Sequence, residues 1–171
     1  NLGALMFAPE VLRTVRTRNR YSATSADQLP HMLVAHWMFG HQLLMPVPDI
    51  DHTDFMLILG ANPAASNGSI MTAPAMGTRL KAIRARGGRV VLVDPRRTET
   101  ARLVDEHHFI KPGTDALLLA SLLDVVFDEG LEATGRLGVH TDGLDAVRAG
   151  VAAFPPERTA AATGLPAETV R

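Results

Sequence analysis

Three short stretches of this chain hold the residue types that a nucleotide needs: Gly60-Ala61-Asn62-Pro63-Ala64-Ala65-Ser66, Asp94-Pro95-Arg96-Arg97-Thr98 and Pro112-Gly113-Thr114-Asp115. A glycine such as Gly60 lets backbone N–H groups approach a phosphate, and a following helix amino end adds a favourable partial charge. An acidic residue at a strand end, here Asp94, can accept hydrogen bonds from both hydroxyls of a ribose. Asp115 can accept two more from the N1–H and exocyclic amine of guanine, the donor edge that adenine lacks. Arg96 and Arg97 offer cations to phosphate. Each residue also has a structural explanation: a turn at Gly60 and Asn62-Pro63, a strand-end cap at Asp94, a helix cap at Thr114 or Asp115. Their joint occurrence favours the ligand. The first loop carries neither the Gly-x-Gly-x-x-Gly fingerprint of dinucleotide domains nor the Lys and Ser/Thr of a P-loop.

The elements that must position these loops are readable around them. Phe55 to Leu59 is too short for a helix and unalternated, as expected of a strand buried on both faces of a parallel sheet. Ala75 to Arg86 reads as a helix stopped by Gly87-Gly88, and Arg89 to Val93 as a second buried strand. Strand, helix, strand is a right-handed βαβ unit, hence parallel. Arg96 to Leu103 suits a short helix, His108 to Lys111 a third strand, and Ala116 to Phe127 a largely buried helix. The fold class is therefore α/β: a Rossmann-like three-layer domain with a short parallel sheet of three or four strands and additional helices at both ends. Three segments are expected: helical residues 1–53, a nucleotide-binding core at 54–130, and helical residues 131–171.

In the first segment, residues 2–17 have helical periodicity with Pro9 at a boundary or kink, and a second helix is expected from about Asp27 to Phe39, ended by Gly40. The arginines at 13, 16, 18 and 20 form a basic patch, read as a solvated helix end or an anion contact. Toward the other end, Asp142 to Phe154, Glu157 to Ala162 and Pro166 onward are short helices.

Composition excludes several classes. There are 171 residues, 46% hydrophobic, with a formal net charge of −1, so nothing global attracts nucleic acid. No cysteine is present, which removes disulfides, thiolate zinc and iron–sulfur ligation from this chain and fits a reducing, cytoplasmic setting. No apolar run approaches the roughly 20 residues of a membrane span. His31, His36 and His41 are five apart, a rotation of about 140° per step on a helix, and share no face. His107 and His108 point to opposite sides of a strand. Seven methionines are core filler, and no nucleophile elbow supports hydrolysis.

Gly60-Ala-Asn-Pro, Val91-Leu-Val-Asp-Pro-Arg-Arg-Thr-Glu-Thr-Ala and Lys111-Pro-Gly-Thr-Asp-Ala-Leu-Leu, in this order, resemble the molybdopterin oxidoreductases of the dimethyl sulfoxide reductase class, which includes formate dehydrogenases and nitrate reductases. The resemblance implies that one of the two dinucleotides of a bis(molybdopterin guanine dinucleotide) cofactor, carrying molybdenum or tungsten in the parent enzyme, lies on these loops. Residues Gly60, Ala61, Asn62, Pro63 and Ser66 would hold its pyrophosphate side, Asp94, Pro95 and Arg96 its ribose region, and Gly113, Thr114 and Asp115 its guanine. Family members are several times longer, and many begin with a cysteine-rich iron–sulfur segment. An internal, catalytically inactive piece is therefore expected, whose partners are the rest of the parent chain and an electron-transfer subunit or iron–sulfur segment. The metal ligand of the family would fall between Asn19 and Gln28, where Ser22, Ser25 and Asp27 also suit helix capping; Asp27 is the anionic candidate. A stand-alone nucleotide-binding or assembly module without redox chemistry is the other reading, with an adenine-dinucleotide binder a third.

Overall fold

The computed structural model describes residues 2–19 and 21–171, which form two compact units, 1–46 and 47–171. In the first unit, α1 (Leu2–Val15) carries Pro9 inside it, and Arg16 follows in the left-handed region at φ 54°. Arg20 of the basic patch lies outside the described residues. A single turn, α2 (Thr24–Asp27), precedes α3 (Leu29–Phe39). The helix expected to begin at Asp27 therefore begins at Leu29, because Pro30 lacks an N–H and is at home only in a first turn. Gly40 ends α3 at φ 78°, its N–H donating to His36 O at 2.8 Å.

The second unit is built on three parallel strands in the order β1 (Phe55–Leu59), β2 (Arg89–Val93) and β3 (Glu106–His108). The register aligns Leu59 with Val93 and Val93 with His108. Between the first two strands run the single turn α4 (Pro63–Ser66) and the crossover helix α5 (Met76–Ala85). Side chains alternate across the sheet, so Ile58, Val90 and Leu92 face α5 and bury Met76, Leu80 and Ile83. On the other face Val93 meets α6 (Asp115–Asp128) through Leu118, together with Ile110 and Leu165. Helix, sheet, helix makes three layers, as the sequence predicts.

The remaining helices, α7 (Leu144–Val151), α8 (Pro156–Thr163) and α9 (Ala167–Val170), complete this unit, α8 and α9 packing on α6. Thr159 Oγ1 donates to the buried Ser121 Oγ of α6 at 3.1 Å. The lead-in to β1 is fixed from α5, where Arg86 donates to the carbonyls of Ile50 and Thr53. Gly88 allows the return strand to approach: Arg89 N donates to Asp54 O at 2.7 Å, and a Cβ on Gly88 would lie 2.5 Å from that same oxygen.

Four expectations change. The third strand is Glu106–His108, ending where it was expected to start. Beyond Val93 the neighbouring chain turns away at Pro95, while Ile110 leaves the sheet to pack on Leu165. Arg96 to Leu103 forms only a 3₁₀ turn at Thr100–Arg102, because the Thr100 hydroxyl is recruited across to the first loop. β1 is not buried on both faces: Phe55 and Leu57 are 57% and 39% exposed. Nor is α6 buried all round, since Leu119 and Leu123 lie on its exposed side.

Candidate functional site

Parallel strands in register deliver their three carboxyl ends to one edge of the sheet, and the three loops of interest all leave from that edge. The ladder extends one step into two of them. Gly60 N donates to Val93 O at 2.9 Å, and Asp94 N to His108 O at 3.1 Å. Gly60 then turns at φ 59°, in the left-handed region that costs other residues about 1–2 kcal/mol.

Asn62 heads α4 without capping it. Its side chain crosses instead to the second loop. Thr100 Oγ1 donates to Asn62 Oδ1 at 2.7 Å, Thr100 N to the same oxygen at 3.3 Å, and Asn62 Nδ2 donates to Glu99 Oε2 at 2.7 Å. Thr100 Oγ1 in turn accepts from Ala64 N at 3.1 Å. The amide of Asn62, and after it the Glu99 backbone N–H, hold the Glu99 carboxyl below its ordinary value. Pro63 is buried, and the exposed Ser66 accepts from Gly68 N at 3.2 Å. The side chain of Asn62 thus holds two loops together, and that of Ser66 closes a turn within its own. Because α4 is one turn, its dipole is small, and Ala64 N, Ala65 N and Ser66 N already donate to Thr100 Oγ1 and Asn62 O.

Asp94 is 6% exposed, and its Oδ1 accepts from Arg96 N at 2.7 Å. That bond closes the turn through Pro95, so one carboxylate oxygen acts as a strand-end cap. His107 Nε2 lies 3.1 Å from Asp94 O and its ring meets Phe109 edge-on, with centroids 4.4 Å apart. Pro95, Arg96 and Arg97 are exposed.

The third loop is held from behind. Lys111 N donates to Thr163 O and Lys111 Nζ to Ala161 O, both at 2.8 Å, tying the exit of β3 to the end of α8. Thr114 Oγ1 donates back to Lys111 O at 2.6 Å, and Thr114 makes no side-chain cap for α6. Gly113 turns at φ 81°. Asp115 follows as the first helical residue, exposed, where the helix amino end favours its negative charge. The cap explanation is thereby removed for Thr114.

Asp27, the candidate metal ligand, is the last residue of α2 and exposed. Among the described residues no group of three His, Asp or Glu side chains is placed to hold a metal ion, and no helix is long and apolar enough to cross a membrane. Two threonines of the second loop have buried positions that their type does not announce. Thr100 is the fully buried hub of the clamp. Thr98 is 6% exposed and its hydroxyl has no hydrogen-bond partner among the described residues. Neither gives a local signal.

A family model described as molybdopterin oxidoreductase matches residues 6–159. Formate dehydrogenase H of Escherichia coli is 30% identical over 125 residues, covering 73% of this chain and 17% of that protein. A nitrate reductase of Shewanella frigidimarina is 35% identical over 100 residues, 58% of this chain and 10% of the relative. Among solved structures, acetylene hydratase from Pelobacter acetylenicus superposes with a TM-score of 0.62 at 26% identity, covering 73% of this chain and 16% of that one. The chain thus spans less than a fifth of the length of these relatives.

Proposed function

The chain belongs to the molybdopterin oxidoreductase family, and from that premise we propose that it is the part of a larger molybdenum- or tungsten-dependent oxidoreductase that holds the guanosine diphosphate half of a molybdopterin guanine dinucleotide. The observation that carries this reading is the placement of Asp115. Its carboxylate sits on the first residue of α6, exposed, just beyond the positive-φ turn at Gly113 and at the same sheet edge as the other two loops. A carboxylate so placed is suited to accept from the N1–H and amine of guanine. Asp94 has one oxygen in the turn, which leaves the other for a ribose hydroxyl. The backbone N–H groups of Ala61 and Asn62 and the exposed guanidinium groups of Arg96 and Arg97 are suited to the diphosphate, the N–H groups of Ala64, Ala65 and Ser66 being taken within the loops.

The donor set fits the nucleotide half of the cofactor. When bound, the cofactor supplies two-electron redox chemistry at its metal. This chain's own residues bind and orient: Asp115 selects the base, Asp94 fixes the sugar, and the Asn62–Thr100 clamp sets the spacing of the first two loops. In this reading the 171 residues alone turn over no substrate, and Asp27 is the residue to test as a metal ligand.

Nucleotide-dependent thermal stabilisation tests the proposal. Guanosine diphosphate at about 100 times its dissociation constant adds about 2.7 kcal/mol to stability. Adenosine diphosphate adds much less, and Asp115→Ala removes the difference. Equal stabilisation by both nucleotides refutes guanine recognition.

A further inference from the structure

We propose that His107 is a positioning residue for Asp94: its imidazole takes the place of a backbone donor at the end of the sheet and so fixes the carboxylate that is offered to a ribose diol. The inference deepens the reading of Asp94 as the group that holds the sugar, and rests on it.

The end of the sheet creates the need. In a parallel ladder a residue bonded through both its N–H and its C=O reaches the two residues that flank its partner on the next strand. Asp94 begins such a pair, because its N–H donates to His108 O at 3.1 Å. The matching bond would run from Ile110 N to Asp94 O. Ile110 instead leaves the sheet to pack with Leu118 and Leu165. His107 stands in register with Leu92, two residues before Asp94, and its Nε2 lies 3.1 Å from Asp94 O. A carbonyl oxygen only accepts, so Nε2 carries the hydrogen, and the imidazole supplies the bond that the backbone has given up. The ring is itself braced, half-buried and edge-on to Phe109 with centroids 4.4 Å apart. The ring of His108, on the opposite face of the sheet, pairs with Glu106 at 2.9 Å.

Three bonds then hold Asp94: its N–H on His108 O, its C=O on His107, and its Oδ1 on Arg96 N at 2.7 Å. Its Oδ2 makes no hydrogen bond among the described residues. Pro95 follows with no N–H and with its φ set by the ring. The direction in which the chain leaves β2 is therefore decided by the Asp94–Pro95 peptide, the group whose oxygen His107 holds. Releasing that oxygen frees the peptide to rotate, and with it both the Asp94 side chain and the Arg96 N–H that caps it. A binding group keeps its geometry only when a neighbouring contact locks its own conformation, and His107 is that contact for Asp94.

Calorimetric titration of the chain with guanosine diphosphate and with its 2′,3′-dideoxy analogue tests the role. The unaltered chain is expected to bind the ribose form about 10-fold more tightly, the worth of hydrogen bonds to the two hydroxyls. His107→Phe keeps a ring against Phe109 and removes the donor. It is expected to lose most of the preference for the ribose form while binding the dideoxy form as before. His107→Gln, whose Nε2 can donate from a similar position, is expected to regain part of that preference, and Asp94→Ala to abolish it. An undiminished preference in His107→Phe overturns the proposal. So does an equal loss of both nucleotides in that variant, as from a general loosening of the fold, and so does a failure of His107→Gln to recover any preference. An unaltered chain that binds both nucleotides equally, or neither, refutes the reading of Asp94 and the proposal with it, whereas a preference that only Asp94→Ala removes refutes the proposal alone.

Discussion

Thr100 Oγ1 donates to Asn62 Oδ1 at 2.7 Å across 38 positions of sequence, and this contact joins the loop after β1 to the loop after β2. Thr100 is wholly buried, and the same hydroxyl accepts from Ala64 N. Thr100→Val keeps the shape but strands both partners, which costs about 1–3 kcal/mol. Urea denaturation is expected to show that loss. A double-mutant cycle with Asn62→Ala is expected to give a coupling of about 0.5–3 kcal/mol, as for groups in direct contact.

Two residues earlier in the same loop the opposite outcome is expected. The Thr98 hydroxyl is buried and has no partner among the described residues, so Thr98→Val relieves a polar group without breaking a bond. Burying an unpaired hydroxyl costs about 1–3 kcal/mol on mutational scales, and a stability gain within that range is expected. Melting temperatures of Thr98→Val and Thr100→Val moving in opposite directions would confirm the contrast; a loss for both would show that Thr98 has a partner in solution.

Asp105 makes the second unit acid-sensitive. Its Oδ2 accepts from Val90 N at 2.8 Å and its Oδ1 from Arg84 Nε at 2.5 Å. The bond from Val90 N foremost, and then the guanidinium of Arg84, hold its carboxyl below the ordinary range. A carboxyl depressed in the folded state contributes stability above its unfolded value, about 3.9, and loses it as pH falls through the folded value. Stability measured from pH 5 downward is therefore expected to decline below about pH 4. Asp105→Asn, which can still accept from Val90 N, is expected to flatten that decline.

Two glycines separate crowding from backbone strain. At Gly88 an added Cβ meets Asp54 O at 2.5 Å and Ile83 Cγ2 at 2.8 Å, so Gly88→Ala must move backbone and is expected to cost about 1–3 kcal/mol. At Gly113 nothing lies within 4 Å, but φ is 81°, and Gly113→Ala is expected to cost about 1–2 kcal/mol through conformation alone. Thermal unfolding checks both. Gly113→Asn, which tolerates that region better than alanine, is expected to recover part of the second loss and Gly88→Asn none of the first.

What was legible in the sequence was local chemistry. β1 and α5 follow from apolar positions with glycine stops and β2 from an apolar run stopped at Asp94-Pro95, while Gly113 marks the third loop by its turn before α6. The third strand was misplaced because Glu106-His107-His108 reads as polar, and only pairing with Val91, Leu92 and Val93 makes it a strand. The apolar Phe109-Ile110 beside it is the stronger signal, yet Ile110 packs with Leu118 and Leu165 and Phe109 is 58% exposed. The partner of Asn62, Thr100, lies 38 positions away and leaves no trace in nearby residues, whereas the partner of Ser66, Gly68 N, lies in its own loop.

The grip of Lys111 on α8 gives the end of the chain a bearing on the loop that carries Asp115. Its backbone N–H and its ammonium group grasp the carbonyls of Thr163 and Ala161, while its own carbonyl receives Thr114 Oγ1 across the turn that holds Gly113. Shortening the polypeptide to residue 150 would spare every strand and every loop residue named above, yet it would cut the tether behind Asp115. It would also take Leu165 and Val170 from the cluster that Val93, Ile110 and Leu118 form, so the end of the chain both braces the loop that carries Asp115 and completes the layer behind it.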